Sequence, residues 1–129
     1  MDSLRGLRGL VIDDESPVLA FVSEYLALGR AEIDTARDIE NALMILGKKE
    51  VDFVVCDMKM PGIDGEGFYR ILGEKIPSLQ KRIIFSAGDV MGRNTKAFFN
   101  SIKNPCIEKP FDLKHLKETI VDLLNSLRR

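Results

Sequence analysis

Strand-length apolar runs alternate with helical patterns along the 129 residues, and this alternation predicts a doubly wound α/β domain. Five β-α units in a row argue for a parallel sheet with helices on both faces. A second observation is the near-continuous apolar run from Val51 to Cys56, the pattern of a strand buried on both sides. A third is that several of these runs end in a charged residue followed by a turn, as strands feeding a common crevice do.

The first strand is read over Leu7 to Asp13. Ser16 then offers an N-cap with Pro17 at the first helical position, and Val18, Val22, Tyr25 and Leu26 recur at helical spacing as far as Gly29. A short, poor strand near Ala31 to Ala36 precedes a second helix, capped by Asp38 and carrying Ile39, Ala42, Leu43 and Leu46. Val51 to Asp57 is the third strand and should be central. A third helix begins near Asp64, with Phe68, Ile71 and Leu72 inward. Arg82 to Ala87 is the fourth strand, Thr95 to Ile102 the fourth helix, and Pro105 to Lys109 a short fifth strand. Leu113 to Leu127 closes the chain, with Leu116, Ile120, Leu123, Leu124 and Leu127 apolar. No internal repeat interrupts this order, so residues 1–129 are expected to form one domain, burying about two-thirds of the unfolded surface.

Composition excludes several classes. Nineteen basic residues against twenty acidic ones give a formal charge of −1, which offers no general attraction to nucleic acid or anionic lipid. No apolar run approaches the roughly 18 residues of a membrane span, and the N-terminus lacks the apolar stretch of a signal peptide. Cys56 and Cys106 lie in different apolar segments without metal-ligand spacing, as free thiols in a reducing cytoplasm would.

In open α/β sheets the binding crevice lies beyond the carboxyl ends of the strands. Asp13 and Asp14 end the first strand, Asp57 the third and Lys109 the fifth. With strand order 2-1-3-4-5 these four charges would converge. Three crowded carboxylates raise one another's pKa values unless a cation intervenes. Hard oxygen ligands suit Mg²⁺, which keeps several waters and leaves room for a phosphoryl oxygen. The bland reading of each acid taken alone is a helix cap or turn residue.

The blocks LVIDDE, VVCDMKMPGIDG and IEKPFD together resemble the three sequence blocks of response-regulator receiver domains, in that family's order and spacing, over essentially the whole chain. The resemblance implies a flavodoxin-like (βα)5 fold with strand order 2-1-3-4-5. It implies that Asp57 is the phosphoacceptor, taking a phosphoryl group from a histidine kinase or histidine phosphotransfer protein. Asp14 and Asp57 would hold Mg²⁺ with the backbone carbonyl of Lys59, Asp13 would act through water, and Lys109 would pair with the phosphoryl group. By the same resemblance the Lys109–Pro110 peptide is expected to be cis. The domain itself would contact neither nucleic acid nor membrane, and self-association into a homodimer stays open.

Two positions depart from the family. Receivers usually carry Thr or Ser at the end of the fourth strand. Counted without gaps from Asp57, or back from Lys109, that switch position falls on Ala87, with Ser86 the alternative. Alternation sends the two to opposite faces, so one alone can face the crevice. The family's aromatic switch residue, three before the lysine, is here Cys106. His115, on the last helix, is expected to be an ordinary surface residue.

A haloacid-dehalogenase-type phosphatase would need Asp-x-Asp-x-Thr, and DMKMP lacks the second Asp and the Thr. A receiver-like interaction module that has lost phosphorylation is the other rival, opposed by the intact acids and Lys109. With no effector domain after Arg129, output is expected from a partner or a parent chain. FSAGDV, AFFNSIKNPCIEKPFD and the closing helix resemble receivers fused to hybrid sensor histidine kinases; a free-standing single-domain regulator is the alternative.

Overall fold

A computed structural model describes residues 3–88 and 93–128. The chain runs β1 (Arg8–Ile12), α1 (Ser16–Leu28), β2 (Glu32–Ala36), α2 (Ile39–Leu46), β3 (Phe53–Asp57), α3 (Gly65–Lys75), α4 (Pro77–Gln80), β4 (Ile83–Ala87), α5 (Arg93–Ser101), β5 (Cys106–Glu108) and α6 (Leu113–Ser126). The five strands are parallel and ordered β2-β1-β3-β4-β5, as expected. β3 lies between β1 and β4, and every residue of β3 and β4 is buried, which is why both read as unbroken apolar runs.

Strand alternation divides the core in two. Leu10, Ile12, Val54, Cys56, Ile83, Phe85 and Ala87 point to one face, where they meet Ala42 and Leu46 of α2, Phe68 and Leu72 of α3, and Phe98 of α5. Val11, Phe53, Val55, Ile84 and Ile107 point to the other, against Leu19, Val22 and Leu26 of α1 and Leu116, Ile120 and Leu124 of α6. Crossovers long enough to hold a helix reverse direction between β2 and β3, so β1 and β3 open side by side at their carboxyl ends.

Three details differ from the sequence reading. The α1 cap is Glu15 rather than Ser16, with extended backbone and no side-chain cap bond. The reason is local: the Glu15 N–H is taken by Asp13 Oδ1 at 2.9 Å, which closes a turn one residue earlier. The one-turn helix α4 has no apolar periodicity to betray it; it forms because Pro77 fixes φ at its start and Leu79 buries. Ile71, expected inward on α3, is only half-buried. The Asp38 cap is as read, accepting from Asn41 N at 2.7 Å, and Asp64, near which the third helix was expected to begin, caps it by accepting from Gly67 N at 2.9 Å. Asp89 and Val90 of the FSAGDV stretch lie outside the described residues.

Candidate functional site

Backbone bonds carry each acid to the same end of the sheet. Asp13 follows β1, and its N–H reaches Ala36 O of β2 at 3.1 Å. Asp57 is the last residue of β3, and the next amide, Met58 N, bonds Ser86 O of β4 at 2.8 Å. Lys109 follows β5, its N–H on Ala87 O at 2.8 Å. The chain after Asp57 is turned away by Gly62, at φ 78°, a conformation that favours glycine. Gly65 then returns to bond Met58 O at 2.9 Å. A Cβ on Gly65 would stand 3.0 Å from Met58 Cα and 3.2 Å from Asp57 O, so glycine lets α3 start this close under the strand end without a backbone shift.

One carboxylate oxygen from each of Asp13, Asp14 and Asp57 lies within 4.8 Å of the other two. Asp13 and Asp57 are buried, at 3% and 6% exposure, while Asp14 is half-buried. The Lys109 ammonium donates to Asp13 Oδ2 at 2.8 Å and stands 3.4 Å from Asp57 Oδ2 and 3.7 Å from Glu15 Oε1. The Lys59 N–H lies 3.5 Å from Asp57 Oδ1, a long and weak contact. Asp14 alone of the three acids takes part in no hydrogen bond or ion pair among the described residues. The Lys109–Pro110 peptide is cis.

Electrostatics follow from this packing. Burial pushes the Asp57 pKa up; Lys109 pulls it down, Asp13 pushes it up again, and the result stays above the ordinary 3.8. Burial disfavours the Lys109 ammonium, but its bond to Asp13 and the charges of Asp57 and Asp13 outweigh that, leaving its pKa above 10.5. A group of acids that holds one acid partly against ionisation is short of positive charge. The donor set fits a hard divalent cation: oxygen ligands only, one of them not engaged by the protein.

Of the sequence candidates, Asp13, Asp14, Asp57 and Lys109 come together. The Lys59 side chain is exposed. Ser86 is the ladder partner of Asp57, whereas Ala87 pairs with Glu108. Both are buried, at 4% and 2% exposure. Ala87 belongs to the same apolar cluster as Phe85, Phe98 and the half-buried Cys106. Burial and the neighbouring Glu108 push the Cys106 thiol up to about 11, and burial likewise raises Cys56 well above its usual value, so neither is a reactive thiolate. His115 is exposed on α6. Glu15 was missed by sequence reasoning; the signal was an acid directly after an acidic pair, at the mouth that the pair lines.

The profile of the response regulator receiver domain family matches residues 10–121. The chain belongs to that family. The heme response regulator HssR of Staphylococcus aureus (strain bovine RF122 / ET3-1) is 31% identical over 109 residues, which make up 83% of this receiver's chain and 46% of HssR. The HssR of Staphylococcus haemolyticus is 28% identical over an alignment of the same length. The chain thus spans about half the length of the curated relatives it matches. A receiver domain from Clostridium thermocellum superposes with a TM-score of 0.82 at 26% identity, covering 95% of this chain and 97% of that one. The response regulator TrrA of Thermotoga maritima, in complex with Mg²⁺ and BeF, gives 0.77 at 28% identity over 91% and 98% of the two chains. Receivers are signalling phosphoacceptor domains of two-component systems, and they generally bind Mg²⁺ at an acidic pocket.

Proposed function

We propose that this receiver accepts a phosphoryl group on Asp57 from the phosphohistidine of a histidine kinase or a histidine phosphotransfer protein. The observation that carries this is the Lys109 ammonium, 3.4 Å from Asp57 Oδ2, beside an acid, Asp14, whose oxygens are unused. In the reaction a carboxylate oxygen of Asp57 forms a bond to phosphorus, the P–N bond to the imidazole breaks, and the imidazole leaves with the electron pair and takes up a proton. Burial raises the basicity of the Asp57 carboxylate and therefore its nucleophilicity. Lys109 is a mobile point charge that exchanges Asp57 for the incoming phosphoryl oxygens. Asp14, Asp57 and the Lys59 backbone carbonyl would hold Mg²⁺, with Asp13 acting through water. When bound, the ion together with Lys109 would offset the charge of the three acids and polarise the transferring oxygens.

The surface beside the crevice supports a protein donor. α1 carries one charged side chain, Glu24, in its thirteen residues, and Phe21 and Leu28 stand 63% and 80% exposed. An apolar groove lined by Pro17, Val18, Phe21, Phe111 and Leu113 reaches Lys109 itself. Such a surface favours burial against a partner. We assign the switch position to Ala87 by its count from Asp57 and from Lys109, with Ser86, the ladder partner of Asp57, as the alternative. The FSAGDV and AFFNSIKNPCIEKPFD stretches and the closing helix support a parent chain that is a hybrid histidine kinase, with a free-standing single-domain regulator as the alternative.

The test is labelling with acetyl phosphate and Mg²⁺, followed by mass spectrometry. The wild type should gain one phosphoryl group and Asp57→Asn none; equal labelling of the variant refutes the assignment.

A further inference from the structure

Two hydrogen bonds fix the main chain of Glu15, an acid whose side chain is exposed. Its N–H is held by Asp13 Oδ1 at 2.9 Å, and its carbonyl accepts from Leu19 N at 3.0 Å. Its side chain, 63% exposed, brings Oε1 to 3.7 Å from Lys109 Nζ. The same nitrogen is the cation nearest Asp57, at 3.4 Å. Glu15 also lines the apolar groove that meets the crevice at Lys109. A phosphoryl donor entering along this groove therefore passes a carboxylate that makes no side-chain cap bond to α1 and competes for the ammonium beside Asp57.

We propose that Glu15 is a donor-selectivity residue: its charge disfavours small phosphodonors in proportion to the negative charge they bring to Asp57. This rests on the phosphoacceptor reading of Asp57. Two effects act in the same direction. Glu15 repels an incoming dianion directly, and it draws the Lys109 ammonium away from the place where the phosphoryl oxygens arrive. A protein donor offsets the repulsion by burying Phe21 and its apolar neighbours on α1. A free small molecule has no such compensation.

Acetyl phosphate and phosphoramidate separate these terms. Near neutral pH the first carries two negative charges, and the second carries a single net charge because its nitrogen is protonated. In both reactions Asp57 forms the new P–O bond; acetate leaves from the first, with the P–O bond to the acyl group broken, and ammonia from the second, with the P–N bond broken. Initial labelling rates are measured by mass spectrometry at saturating Mg²⁺ on the whole chain, which has no tryptophan to serve as an optical probe. Thermal melts confirm that each variant is folded. Removing one exposed charge a few ångströms from a dianion should raise the acetyl phosphate rate of Glu15→Gln roughly three- to fivefold at about 0.1 M salt. The phosphoramidate rate should rise by a smaller factor, and both gains should shrink at about 1 M salt. Glu15→Asp should keep the wild-type preference, and Glu15→Lys should exceed Glu15→Gln. Equal gains with both donors, gains insensitive to salt, or no gain overturn the proposal. A wild type that neither donor labels overturns the Asp57 reading and this proposal with it.

Discussion

Asp13 and Asp14 are adjacent in sequence and have opposite relations to the protein, so alanine at each should damage a different property. Asp13→Ala removes the acceptor that holds Lys109 at 2.8 Å and the one that holds Glu15 N–H at 2.9 Å. A hydrogen bond to a charged group contributes about 1.5–3 kcal/mol. Water replaces the bond to the exposed Glu15 amide, and loss of Asp13 relieves the repulsion that raises Asp57. The net cost should be about 1–2 kcal/mol, or roughly 4–8 °C in melting temperature for a chain of this size. Asp14→Ala breaks no bond within the protein and removes a repelling charge, so its stability should stay within about 0.5 kcal/mol of wild type. For Mg²⁺ the order reverses. Even outer partners of a metal site cost roughly 10–100-fold in affinity, and Asp14, the proposed direct ligand, should cost at least that, with Asp13 costing less. Thermal unfolding in a chelator gives the first comparison and calorimetric Mg²⁺ titration the second. An Asp13→Ala protein that melts like the wild type but loses Mg²⁺, beside an Asp14→Ala protein that keeps it, means the two roles are exchanged.

The switch assignment predicts that Ala87→Thr, which restores a hydroxyl able to make a charge-assisted bond of roughly 1.5–3 kcal/mol, increases the amide chemical-shift response of Ala87, Gly88 and α5 to beryllofluoride. Ser86→Ala should change that response little; if it abolishes the response while Ala87→Thr does nothing, Ser86 is the switch. The raised Asp57 pKa predicts a pH signature in the metal-free protein. The native carboxyl holds its proton more tightly than the unfolded one, so its contribution to stability falls as pH rises from the ordinary 3.8 through the raised native value. Urea midpoints of Asp57→Asn should lack that fall, and parallel curves for variant and wild type would contradict the electrostatic account.

The sheet order and the meeting of the four charges were legible because they depend on long, regular features: apolar runs of strand length and charged residues at their ends. Asp38 was legible as a cap because nothing competes for the amide it takes. Ser16 was not, since Asp13, three residues earlier, captures the Glu15 amide and shifts the cap by one. Glu15 itself meets a lysine 94 positions away, a contact that only tertiary folding sets. Period-two alternation says that Ser86 and Ala87 face opposite ways, but the phase comes from pairing with β3, which puts Ser86 opposite Asp57. Nothing in the sequence singles out Gly9, yet a Cβ there would lie 2.3 Å from the Phe53 ring. Its missing side chain is the space into which that ring packs.

The two halves of the core differ in side-chain chemistry as well as in membership. Cys56, Met58, Met60 and Cys106 all lie in the half under α2, α3 and α5, together with the rings of Tyr69, Phe85, Phe98 and Phe99, whose centroids are 5.3–6.3 Å apart. The half under α1 and α6 is built from aliphatic and aromatic carbon, with no sulfur among the described residues. Thioether chains are unbranched and adapt their shape at little cost, whereas branched aliphatics hold one. Asp57 stands at the seam between these two materials. If thioether and thiol packing is the more adaptable of the two, a charge added at Asp57 should be accommodated on the α5 side while the surface beside α1 keeps its shape.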